Sequence, residues 1–226
     1  MKVAQIIDSL KIGGAQKLQV TFAQAAKSRD LEILVVALQE RETNTVAREL
    51  ANLGAKVITL HADKLLDRDR LDCLQQLLRD ERVDVVQTHL TAANIAGLFA
   101  AWRTAIPAVA TLHTAGIDRR YNGPIRRFSE SLMLRLAASQ IVAVGKVVAD
   151  ANRVRLFAKR VHVIHNAVDF PPPILYEERR ALRAEIMDDA SRPLLLSVGR
   201  IAPPKGYPDL INAISILRMR HPDIAL

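Results

Sequence analysis

A single cysteine, Cys73, is the only thiol in this chain of 226 residues. One thiol excludes an internal disulfide framework and a cysteine-based metal cluster. Its place among Leu71, Leu74 and Leu77 in a helical pattern predicts a small core residue. Aromatic residues are scarce, at 4%. That argues against nucleic acid as a partner, because single strands are held largely by stacking on aromatic rings. No uncharged stretch reaches the ~18 residues that a membrane-spanning helix needs. Met1-Lys2-Val3 runs directly into a strand pattern, so no secretory leader is expected and the cytoplasm is the expected compartment. The Gly-x-Gly-x-x-Gly fingerprint of dinucleotide binding is also missing.

Acidic residues are short in one stretch only. The net charge is +8, and residues 118–160 alone carry +7. Arg119, Arg120, Arg126, Arg127, Arg135, Lys146, Arg153, Arg155, Lys159 and Arg160 supply it. A local positive field points to an anionic partner, either a phosphate group or an acidic lipid; solvated helix faces are the plainer alternative.

What is present in quantity is apolar sequence, half of all residues. The length fits one domain and the start of another. Strand patterns at Val3–Ile7, Ile33–Leu38, Lys56–Leu60, Val83–Thr88, Pro107–Leu112, Gln140–Val144 and Val161–Ile164 alternate with helical ones. The helical patterns are Ala15–Lys27, Thr45–Leu53, Leu71–Arg82, Ala92–Arg103, Ile125–Ala138 and Lys146–Phe157, with Gly54 as a C-terminal cap. This order predicts an α/β fold: a Rossmann-like parallel sheet covered by helices on both faces. Residues 1–168 are expected to form that domain. Pro171-Pro172-Pro173 and the charged run after them make 169–193 a connector. Residues 194–226 then read as the first strand, loop and helix of a second Rossmann-like domain. Leu194–Val198 reads as a fully buried strand, and the face Leu210, Ile211, Ile214 and Leu217 as packing back on its sheet.

In such sheets ligands collect at the carboxyl ends of the strands. The first strand ends before Gly13-Gly14, where paired glycines allow positive φ and close approach of an anion to a helix start; a simple tight turn is the alternative. The fourth strand ends at His89 and the fifth leads into His113. Two imidazoles at matching positions can orient a sugar hydroxyl or exchange a proton, or serve as structural hydrogen-bond partners. A zinc pair lacks further ligands at suitable spacing. Asn166, after the last strand, fits either a hydrogen bond across a cleft or a turn. Asp67-Arg68-Asp69 begins a helix, so the helix dipole explains its carboxylates better than a metal does. Near the end, Gly199, Arg200 and Lys205 precede a helix start near Gly206, which makes a plausible diphosphate clamp.

Taken together, Gly13-Gly14, His89, His113, the run Val163 to Asp169 and the run Ser197 to Gly206 resemble retaining glycosyltransferases of family four, with the two-domain B fold. The resemblance covers the whole chain, and its most specific part is Ser197 to Gly206. It implies an N-terminal domain that receives the acceptor and a C-terminal domain that holds a nucleotide sugar. It implies Gly13, Gly14, Gly199, Arg200 and Lys205 as donor-binding residues. His113 corresponds to the family's active-site histidine, which touches the transferred sugar. His89, Asn166, Arg119, Arg120 and Arg126 are placed on the acceptor side or in the cleft. The implied partners are the nucleotide sugar and a sugar, lipid-linked or other small acceptor, with no cofactor and no metal. A peripheral contact with an anionic membrane at the inner face fits the basic segment, through the stripe Ile125, Phe128, Leu132 and Leu136; that stripe also fits ordinary packing on the sheet. Three features depart from the family pattern. Ala167 and Gly145 stand where glycine and serine are usual, and the acidic E-x7-E element would lie beyond Leu226. By itself the chain is therefore expected to transfer no sugar. The alternatives are a noncatalytic module that binds an acceptor or partner, and a related epimerase.

Overall fold

The computed structural model describes residues 1–39, 45–115, 123–157, 159–168, 170–187, 189, 192–199 and 201–226. The chain divides into two compact units, Met1–Asp169 and Phe170–Leu226.

The first unit is one parallel sheet of seven strands in the order β3-β2-β1-β4-β5-β6-β7. The strands are β1 (Lys2–Ser9), β2 (Glu32–Gln39), β3 (Lys56–Thr59), β4 (Val85–His89), β5 (Ala108–Leu112), β6 (Gln140–Ala143) and β7 (Val161–Val163). The intervening helices are α1 (Gly14–Lys27), α2 (Thr45–Asn52), α3 (Arg68–Asp80), α4 (Thr91–Thr104), α5 (Pro124–Leu136) and α6 (Lys146–Leu156). The chain builds outward from β1 to β3, returns through α3, and builds outward again from β4 to β7. Right-handed crossovers place the helices of the two runs on opposite faces. β2 shows the result: Val35 and Ala37 pack with Ala23, Ala26, Val46 and Leu50, whereas Leu34, Val36 and Leu38 pack with the cluster of α3 and α4. Burial on both faces explains why this strand is apolar from Ile33 to Leu38 without alternation.

Local signals are met at several helix ends. Asp67 caps α3, its carboxylate accepting from the Arg70 amide at 2.9 Å. Gly54 follows α2 with a φ of +88°, a conformation that favours glycine. Cys73 departs from expectation: it is exposed. α3 buries Leu71, Leu74 and Leu78, and position 73 lies about 200° around the helix from Leu71.

α5 is apolar on its solvent side. Ile125, Phe128 and Leu136 are 81%, 69% and 68% exposed, and Leu132 is also exposed. The stripe therefore does not pack on the sheet. Leu134 and Glu130 face inward instead. Glu130 accepts from Asn94 Nδ2 at 2.9 Å and from Arg155 Nη1 at 2.7 Å, so two other helices supply its partners. Asn94 in turn accepts from the Thr88 hydroxyl at 2.7 Å, and Arg155 donates to Asn152 at 2.7 Å.

The second unit contains α7 (Tyr176–Ile186), a 3-10 turn at Pro203–Lys205 and α8 (Tyr207–Arg218). The buried strand expected at Leu194–Val198 is absent among the described residues. Leu194 makes one isolated parallel bridge, to Ala225, while Leu196 and Val198 are 76% and 91% exposed. A doubly covered strand requires neighbours on both edges and both faces, and among the described residues this segment bridges to Ala225 alone. α8 accordingly buries Ile214 and leaves Ile211 exposed, with no sheet beneath it among the described residues. Among the described residues there is thus one Rossmann-like sheet and no second one.

Candidate functional site

The order of the strands reverses direction between β1 and β4. In open α/β sheets that switch point leaves a crevice at the carboxyl edge, bordered by the two departing chain segments. Two helix N-termini flank it here, and they differ. The start of α4 is already occupied: Asp8 accepts from the amides of Ala93 at 2.7 Å and Ala92 at 3.3 Å. Leu90, between His89 and α4, has a φ of +74°, in the region where a branched side chain is strained. The start of α1 is uncapped by any side chain, and its first turn has no acidic residue. Its amides and dipole are thus available to an anion from outside the fold.

Gly13 and Gly14 stand at that start without positive φ; Gly13 is extended at −178°. The glycine at 13 has another cause. A Cβ there would lie 2.6 Å from Oε1 of Gln16, whose amide donates to the Ser9 carbonyl. At Gly14 a Cβ would meet nothing within 4 Å. The space over Gly14 is open.

His89 and His113 come together. Nδ1 of His89 lies 2.9 Å from Nε2 of His113, and the ring centroids are 5.2 Å apart. On the far side, His89 Nε2 lies 2.6 Å from Oε1 of Gln5. The chain of contacts continues from Gln5 Nε2 to Gln87 Oε1 at 2.9 Å, and from Gln87 Nε2 to the Thr111 hydroxyl at 2.9 Å. Burial holds both imidazoles neutral. It lowers His89 to about 3, helped by repulsion from His113, and lowers His113 to about 4. Asp8 is shifted the other way, raised by burial to about 6 against the pull of the two α4 amides and the Arg126 charge.

Arg126 is half-buried, and its Nε is buried with no hydrogen-bond partner among the described residues. Its charge is felt at Asp8, which puts it near the carboxyl end of β1. Asn166 is exposed and lines, with Gln5, Gln87, His89, Leu18 and Phe22, a cavity of about 410 Å³ on the α1 face of the sheet. In the second unit Gly199 and Lys205 are neighbours: a Cβ on Gly199 would lie 3.8 Å from Lys205 Cδ and 3.1 Å from the Tyr207 hydroxyl. That hydroxyl donates to the Gly199 carbonyl at 3.1 Å, so packing against Tyr207 is a second reason for this glycine. Gly206 opens α8 with a φ of +66°. Arg119, Arg120 and Arg200 lie outside the described residues.

Sequence reasoning missed Gln5, Gln87, Asp8 and Leu90. Asp8 gave a faint signal, a carboxylate interrupting an apolar strand. Gln5 and Gln87 sit at register partners on β1 and β4, and only the sheet order reveals that.

A single Rossmann-like sheet with polar groups at its β1/β4 switch point is the architecture of one half of a two-domain B fold. The chain belongs to Glycosyltransferase Family 4, whose model matches residues 12–170. It is similar to the D-inositol 3-phosphate glycosyltransferase of Jonesia denitrificans, with 29% identity over 240 residues, covering 93% of this chain and 55% of that protein. The enzyme of the same name from Xylanimonas cellulosilytica is 27% identical over 227 residues, covering 88% of this chain and 54% of its own length. The chain thus spans little more than half the length of these relatives. Among solved structures, Anabaena HepE in complex with UDP-glucose matches all of this chain and 59% of its own, with a TM-score of 0.78 at 20% identity. A glycosyltransferase from Rickettsia africae matches 96% of this chain and 57% of its own, with a TM-score of 0.74 at 17% identity. These likenesses establish the fold, as the N-terminal half of the B-fold architecture.

Proposed function

We propose that this chain is the acceptor-side portion of a retaining glycosyltransferase that draws on a nucleotide-sugar donor. The observation that carries the reading is the neutral pair of buried His89 and half-buried His113 near the uncapped start of α1. His113 touches the transferred sugar, and the open space over Gly14 lets the donor approach the α1 amides. Residues 1–168 form the acceptor domain, with Arg126 as a cation for a phosphorylated or otherwise anionic acceptor. Residues 169–193 connect, and 194–226 begin the donor domain. There Lys205, with Arg200 and Gly199, neutralises the donor diphosphate as charge develops on the leaving nucleotide. That HepE was solved with UDP-glucose, and that two relatives are named for an inositol phosphate, supports this pairing of donor and acceptor classes.

A transfer assay tests the reading. The 226 residues alone are expected to turn over no UDP-glucose. In the protein carried to its relatives' length, His113→Ala and the pair Arg200→Ala, Lys205→Ala each lower transfer about a hundredfold or more, the scale of one lost electrostatic contact. Undiminished transfer in all of these variants rejects the assignment.

The same reading places the protein at the cytoplasmic face of an anionic membrane. The outward stripe of α5 and its flanking Arg127 and Arg135 support that, since each such cation adds about 1 kcal/mol near anionic lipid. Self-association through this face is opposed by the local excess of positive charge. Co-sedimentation with phosphatidylserine vesicles at low salt is expected, and loss of it in Ile125→Ser, Phe128→Ser. Binding that ignores lipid charge or survives both serines contradicts the membrane role.

A further inference from the structure

We infer that Gln5 and His89 are positioning residues that fix the tautomer of His113, leaving its Nδ1 as a bare acceptor. The inference rests on the reading of His113 as a sugar-contacting residue, and its argument is one of hydrogen-bond bookkeeping. An amide oxygen only accepts. Gln5 Oε1, at 2.6 Å, therefore requires a proton on His89 Nε2. A neutral imidazole carries one N–H, so His89 Nδ1 must accept. The hydrogen at the 2.9 Å contact then belongs to His113 Nε2. His113 is neutral in its turn, and its Nδ1 keeps a lone pair that no hydrogen bond among the described residues uses.

The chain of contacts runs on into the sheet. Gln5 shows its oxygen to His89 while its amide nitrogen donates to Gln87, and Gln87 in turn donates to the Thr111 hydroxyl, which accepts in this arrangement. Gln5, Gln87 and Thr111 lie on three adjacent strands, β1, β4 and β5. The relay therefore reads out the register of the sheet as a proton position at its edge. In chemical terms, His113 takes a hydroxyl donor from its ligand. It neither donates to a carboxylate or phosphate there nor acts as a protonated acid near neutral pH.

Histidine-detected ¹⁵N NMR on the 226-residue chain at pH 7 reads the tautomers directly. The expected result is an Nε2–H tautomer for both rings. An Nδ1–H tautomer for His113 would overturn the inference without any variant being made. Gln5→Glu gives a second arm. A carboxylate at that position favours protonated His89, which then donates from both nitrogens, and His113 must accept at Nε2 and carry its proton on Nδ1. The variant is expected to raise the His89 titration midpoint, and below the raised midpoint, where His89 is charged, to invert the His113 tautomer. A folded Gln5→Glu chain in which His113 keeps its tautomer below the His89 midpoint also overturns it. Failure of the functional reading looks different: both tautomers are as stated, yet in the protein at its relatives' length UDP-glucose and acceptor leave the His113 Nδ1 resonance unmoved.

Discussion

At the scale of single residues, three titrating groups shielded from water set opposite pH dependences. Asp8 titrates in the fold at about 6, above its ordinary 3.8. Its stabilising share is whole at low pH and is lost as pH rises through 6, because the unfolded chain has already released that proton. His89 and His113 titrate at about 3 and 4, below the ordinary 6.5. Their share is whole above 6.5 and is lost as pH falls, because the unfolded chain takes up protons first. Between pH 6.5 and 4 the histidines therefore favour unfolding and Asp8 opposes them. Asp8→Asn removes that opposition. Its urea midpoint is expected to fall more steeply than that of the unsubstituted chain on acidification from pH 6.5 to 4.5; an equal or shallower fall contradicts the argument. His89→Gln is expected to make the fall shallower, by about one proton in the linkage slope.

At the scale of elements, the strands and most helices could be read from periodicity because those patterns are local. β2 is apolar from Ile33 to Leu38, which marks a strand covered on both faces, whereas the order of the strands depends on pairing across the sheet. α5 could not be oriented the same way. Its apolar stripe gave the right residues, but their direction depended on where Glu130 finds partners, and those sit at Asn94 on α4 and Arg155 on α6. Leu194–Val198 failed for the same reason in reverse: its composition fits a buried strand, but burial needs strands that these residues do not include. The site was legible as far as His89 and His113, since strand ends can be counted. Gln5 and Gln87 looked like any glutamines until β1 and β4 were seen to pair. The inward ion pair makes its own prediction. Arg155 and Glu130 side chains are 17% and 7% exposed, and removing one partner strands a buried charge. Arg155→Met is expected to cost about 3 kcal/mol in urea unfolding. Double replacement with Glu130→Gln should recover part of that. A loss below about 0.5 kcal/mol would show the pair to be an ordinary surface contact.

At the scale of the whole molecule, both buried clusters draw only on residues before 162, with Val161 the last to pack against them. The first unit should therefore fold without the second. A chain ending at Val168 is expected to keep the urea midpoint of the first unit. Limited proteolysis is expected to cut first between 192 and 201, where Leu196, Val198 and Ile201 lie open to solvent. Loss of the urea transition on truncation would show that the units fold as one. A wider consequence attaches to the inward-facing Glu130. Because α5 is anchored from within, its outer row of side chains carries no folding duty. Descendants of this sequence can rewrite that row for a different neighbourhood while the domain beneath keeps its shape, so divergence of acceptors need not await a new scaffold.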